Sequence, residues 1–144
     1  MVKPFQAREL KLGVERGLPV DMHCCGHCEV FLDDWIEIGV TVWNPAQVMN
    51  DLPSIKKQYG RNLVLAGCWD SSGPAGWPGA SEELVKKAVR DCIDAYAPGG
   101  GFIFWGSSYG AADDEDHQKK ARWITEEYDA YGRTFYNKKI SYKK

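Results

Sequence analysis

The sequence predicts an α/β domain built on a parallel sheet. Two observations carry this. Four short apolar runs alternate with four segments of helical period, and the connections between them are short except one. The length of 144 residues suits one domain, and no low-complexity linker divides the chain. A single unit is therefore expected over 1–144, with an ordered core from about 5 to 135 and a basic tail over 137–144.

A helix is expected over 4–16, "PFQARELKLGVER", stopping at Gly17. The first strand is "PVDMHCC" from Pro19, and the helix after it covers 28–38, with Phe31, Trp35 and Ile38 at helical spacing. "VTVWNP" from Val40 is the second strand, followed by a short helix around 54–59. "NLVLAGCWD" from Asn62 is the third. A ten-residue Gly/Pro-rich loop, "SSGPAGWPGA", leads from it to a helix over 82–96. In that helix Val85, Val89, Cys92 and Tyr96 form one stripe, and Ser81 is placed to cap its start. The fourth strand is "GFIFWGSS" from Gly101. The last helix runs from about 114 to 131, with Ala121, Ile124, Tyr128 and Tyr131 on one stripe. Four such units fit either a small doubly wound sheet or half of a (β/α)8 barrel. In both, functional groups gather at the carboxyl ends of the strands.

The net charge of -2 gives no electrostatic case for nucleic acid. No 18-residue apolar stretch provides a membrane span. Lys138, Lys139, Lys143 and Lys144 read as a solvated end. Five cysteines without an apolar signal core point to a reducing cytoplasm and free thiols.

"DMHCCGHC", residues 21–28, gathers three of the five cysteines and two of the three histidines. Strand alternation splits the cluster. Asp21, His23 and Cys25 share one face, while Val20, Met22 and Cys24 share the other and meet the helices. His-x-Cys at a strand end thus sets an imidazole beside a thiol, a pair that zinc favours and that cobalt or copper can also use. The alternative is that these are buried small residues and a core histidine. Cys25-Gly26-His27-Cys28 also reads as a CxxC, whose thiol pKa a helix start would lower. Cys68 and Asp70, at the end of the third strand, are expected on one face, and Cys68 is a candidate third soft ligand. Asn44 and Gln47 end the second strand, and Ser107 and Ser108 the fourth. Cys92 is expected in the core and His117 in solvent.

Four blocks then carry a family resemblance: "PVDMHCCG", "DDWIEIGVTVWNPAQ", "IKKQYGRNLVLAGCWD" with "SEELVKKAV", and "YAPGGGFIF". In order and spacing they resemble the carboxyl-terminal half of the uroporphyrinogen decarboxylase superfamily, which also holds the methylcobalamin:coenzyme M methyltransferases. The resemblance implies the last four βα units of a (β/α)8 TIM barrel. It implies zinc at His23 and Cys25, a corrinoid as methyl donor, and methyl transfer to a thiol or related acceptor. The family's third ligand position falls at Gly100, so Cys68, Asp70 or Glu29 is the expected substitute. Asp70, Trp77 and Asn44 are the expected substrate-binding residues, with the loop around Trp77 over the mouth. No residue is assigned a catalytic role. A decarboxylase-like lyase of porphyrin metabolism is the second reading; its histidine at the last strand end is absent from "FWGSSYG". A non-catalytic half-barrel accessory subunit is the third. Half a barrel leaves a bare sheet face and two bare edges. The expected partner is therefore a second copy or a separate amino-terminal half, with a corrinoid protein as a further partner.

Overall fold

The computed structural model describes the backbone of residues 2–140 and the side chains of residues 2–137. The chain forms two compact units. One comprises the chain up to Cys68 together with Gly99–Ile103, the other Trp69–Pro98 and the chain from Phe104 onward.

In the first unit α1 (Lys3–Glu15) starts with a proline in its first turn, where the missing N–H costs nothing. It ends before Gly17, whose φ of 66° suits glycine. Four strands follow: β1 (Asp21–His23), β2 (Val42–Ala46), β3 (Val64–Gly67) and β4 (Phe102–Phe104). They form one all-parallel sheet in the order β1-β2-β3-β4. A 3-10 turn (Glu29–Phe31) leads into α2 (Leu32–Glu37), and α3 (Leu52–Tyr59) joins β2 to β3. The helix expected over 28–38 is thus two pieces.

Register decides which side chains share a face. Asp21 pairs with Val42, Met22 with Trp43, His23 with Asn44, and Trp43 with Leu65. The Leu65 N–H donates to the Gly101 carbonyl at 3.1 Å, which aligns Leu65 with Phe102 and sets Ile103 on the side of Ala66. One face therefore carries Met22, Trp43, Leu65 and Phe102. Trp43 and Leu65 lie in the core with Leu32, Trp35, Val40, Leu52 and Leu63. The other face carries Asp21, His23, Val42, Asn44, Val64, Ala66 and Ile103; Asp21, His23 and Ile103 are exposed on it. The alternation expected along β1 holds.

The second unit centres on α4 (Glu82–Tyr96) and α5 (Glu115–Glu127). Val85, Val89, Cys92 and Ile93 of α4 are buried with Ile124 of α5. Ser81 caps α4 as expected, its Oγ accepting the Leu84 N–H at 3.3 Å. Past α5 the chain makes one wide turn (Tyr128–Gly132) and then α6 (Phe135–Ile140), inside the stretch expected to be tail. The reason is aromatic anchoring. Phe135 is buried against Tyr131, and the Tyr136 hydroxyl donates to the Ala97 carbonyl at 2.7 Å. Lys143 and Lys144 lie outside the described residues. Among the described residues no helix is long and apolar enough to cross a membrane.

Candidate functional site

His23 closes β1, and the chain after it turns sharply. The Cys24 N–H still donates to the Asn44 carbonyl at 2.9 Å, so β1 keeps its hold on β2 for one more residue. Beyond that, three side chains hold the 24–28 loop. The Trp43 indole donates to the Cys24 carbonyl at 3.0 Å. Gln47 Oε1 accepts the Gly26 N–H at 2.6 Å, and Asn50 Oδ1 accepts the Cys28 N–H at 2.9 Å. Asn50 Nδ2 donates to the carbonyls of Gly26 and Gln47, both at 2.9 Å. Asn50 is buried, with both amide hydrogens and its oxygen engaged here.

Rigid backbone on both sides sets His23 and Cys25 next to each other, with 3.8 Å between Cys25 Sγ and His23 Nε2. Two ligands of one tetrahedral zinc, at about 2.3 Å for sulfur and about 2.0 Å for nitrogen, stand about 3.6 Å apart. The pair fits a shared cation. Both residues are exposed, so a ligand reaches them without opening the fold.

Of the remaining thiols of the cluster, Cys24 is half-buried and Cys28 faces inward. Cys28 is buried, and its Sγ donates to the Cys24 and Cys25 carbonyls at 3.4 and 3.6 Å. Burial, with the Cys24 thiol beside it, pushes the Cys28 thiol up to about 12. The CxxC expectation of a lowered thiol pKa is therefore overturned at Cys28. Desolvation of the thiolate outweighs a 3-10 turn that is too short to favour it. Among the described residues no disulfide forms.

The other expected site residues are distributed as follows. Asn44 pairs with His23 across β1 and β2, and its Oδ1 is buried with no hydrogen-bond partner. Cys68 is buried, with φ of 58°, its N–H donating to the Ala46 carbonyl at 2.9 Å. β3 stops at Gly67, so alternation no longer relates Cys68 to Asp70, and Asp70 is exposed. The Asp70 carboxylate accepts the Ser72 N–H at 3.1 Å, an Asx turn opening the long loop. Trp77 is exposed, its indole donating to the Ser72 carbonyl at 3.0 Å. Among the described residues no cluster of three or more His, Cys, Asp or Glu side chains is arranged to hold a metal. The Glu29 carboxylate is engaged, accepting the Asp51 N–H at 2.6 Å.

Gly100 holds a backbone conformation that favours glycine. Its φ is 77°, and a Cβ there would meet the Arg61 guanidinium at 3.3 Å. The Gly100 carbonyl accepts from Lys56 Nζ at 2.6 Å. Burial lowers the Lys56 ammonium pKa.

Three residues the sequence did not single out organise their surroundings. Trp43 and Asn50 hold the cysteine loop. Lys120, buried in the second unit, donates to the Gly76 and Trp77 carbonyls at 3.2 and 2.5 Å and pairs with Asp116 at 2.5 Å. The loop around Trp77 is thus tethered. His117 is half-buried, not in solvent, with Gly110 packed closely against its Cβ, and its Nδ1 has no hydrogen-bond partner.

No protein-family description matches the chain, and neither the curated proteins nor the solved structures searched include a match.

Proposed function

We propose that the chain is a methyltransferase of the uroporphyrinogen decarboxylase superfamily, contributing the last four βα units of a TIM barrel. The observation that carries this is the His23–Cys25 pair, 3.8 Å apart at the carboxyl end of a parallel strand. When bound there, zinc supplies a Lewis acid that keeps an acceptor thiol deprotonated. The residues do the rest. His23 and Cys25 hold the cation, and the Trp43, Gln47 and Asn50 bonds keep the pair in place. A methylated corrinoid, when bound, would supply the methyl group and keep the electron pair of the broken bond, so that the acceptor sulfur would gain the methyl group and lose its proton to solvent.

The sheet face bearing Asp21, His23 and Ile103 supports a barrel completed by a second copy or by a separate amino-terminal half, since parallel sheets are covered on both faces. The test is metal analysis of untagged, reduced protein, followed by methyl transfer from a methylated corrinoid to a thiol. One equivalent of zinc, lost in Cys25→Ser, is expected. Less than a tenth of an equivalent overturns the reading.

A second reading is a binding half that seats a corrinoid protein without transferring. The Gly100 backbone favours it, because Arg61 occupies the space of the family's third ligand. Co-purification with the corrinoid protein, without transfer by the isolated chain, is its signature.

A further inference from the structure

A third donor is needed, because catalytic zinc sites use three protein ligands and one open position. Cysteine at the family's third position is excluded by Gly100, and no third His, Cys, Asp or Glu among the described residues joins His23 and Cys25. The nearby amides are mostly committed. Gln47 Oε1 and Asn50 Oδ1 each accept a backbone N–H of the cysteine loop.

Asn44 differs. Its Oδ1 is buried and accepts no hydrogen bond. A buried, unsatisfied carboxamide oxygen costs about 1–3 kcal/mol, and native folds keep few of them without a use. Its place in the register gives the use. Asn44 pairs with His23 in adjacent parallel strands, so both side chains leave the same face of the sheet about 5 Å apart at their bases. Cys25, in the loop just past β1, brings its Sγ to 3.8 Å from His23 Nε2.

We infer that Asn44 Oδ1 is the third protein donor to a divalent cation held by His23 Nε2 and Cys25 Sγ. The inference rests on the His23–Cys25 reading and deepens it. The donor set is then one nitrogen, one sulfur and one neutral oxygen. It carries one less negative charge than a set with two thiolates, and the bound cation keeps a greater net positive charge. Binding releases the Cys25 proton to solvent and breaks no bond within the protein.

The test is titration of the full-length, reduced chain with cobalt(II) and with zinc(II), read by calorimetry and by the thiolate-to-cobalt absorption band. Wild type is expected to take one equivalent. Asn44→Ala is expected to weaken affinity on the order of tenfold to a hundredfold and to shift the cobalt band. Asn44→Asp, nearly isosteric, is expected to tighten binding about tenfold, because it replaces a neutral oxygen with a charged one. Thermal unfolding of the metal-free variants controls for folding. If wild type binds, Cys25→Ser does not, and both Asn44 variants match wild type, the Asn44 assignment falls while the two-residue site stands. If wild type binds neither ion, the underlying reading falls with it.

Discussion

Asn50 is the residue on which the cysteine loop depends. It accepts the Cys28 N–H and donates to two carbonyls, all while buried. Asn50→Ala removes the partners of the Cys28 N–H and the Gly26 carbonyl, while the Gln47 carbonyl still accepts the backbone N–H of residue 50. A loss of about 2–4 kcal/mol is expected in urea unfolding, with faster hydrogen exchange at Cys28. Asn50→Asp keeps the acceptor and loses the donors, so it should fall between the two. Cysteine reactivity follows the same architecture. At pH 8, alkylation with mass mapping should modify exposed Cys25 first and spare Cys28, whose Sγ is buried against two carbonyls. Equal rates at the two positions would contradict the loop geometry. Adding a thiol by Gly100→Cys should fail to create a further metal ligand. The position needs a positive φ and places Cβ against Arg61, so about 1 kcal/mol or more of stability is lost with no gain in zinc affinity.

At the scale of elements, the loop around Trp77 is held by one buried cation. Lys120 reaches two of its carbonyls, and the hydrogen bond from Lys120 keeps the Asp116 carboxyl below the usual carboxylate range. Lys120→Met preserves the apolar stem and removes the ammonium. It is expected to cost roughly 2–3 kcal/mol and to open the loop to proteolysis between 71 and 80, which limited digestion with elastase, a protease that cleaves after small residues such as Ala75, reads. Unchanged cleavage would mean the loop is held by its own Asx turn and the Trp77 indole alone. Sequence signals placed the elements well where a side chain acts locally. Ser81 as a cap and Val85 and Val89 as the buried stripe of α4 are of this kind, because both depend on neighbours within one or two turns. α6 was not legible as a helix. It is short and lysine-bearing, and Tyr136 anchors it through the distant carbonyl of Ala97, with Phe135 packed on Tyr131 just before it.

At the scale of the whole molecule, two thiols set an alkaline limit to stability. Burial pushes Cys28 and Cys92 up to about 12. In the unfolded chain they ionise near the free-thiol value of about 8.5. Between those values the folded state holds protons that the unfolded state has lost, so stability is full below about 8.5 and declines as pH rises toward 12. Thermal unfolding from pH 7 to 10.5 should show a falling Tm, and Cys92→Ala should flatten that slope while lowering Tm at neutral pH. The face of the sheet bearing Asp21, His23 and Ile103 belongs to this scale too. Sedimentation of the purified chain is expected to show a dimer or larger species. A cooperatively unfolding monomer would count against a barrel completed by a second copy.

The sequence by itself determined the alternation of strand and helix and the division of Asp21, Met22 and His23 between two faces. Both follow from periods of 2 and 3.6, which operate over a few residues. Tertiary structure alone decided what each group does. Register between β1 and β2 brought Asn44 beside His23, and packing left its oxygen without a partner. The end of β3 at Gly67 broke the expected relation of Cys68 to Asp70. Burial turned Cys28 from a candidate redox thiol into a raised one. These outcomes depend on residues twenty or more positions apart, where no local period reaches and only the folded arrangement sets distance and solvent.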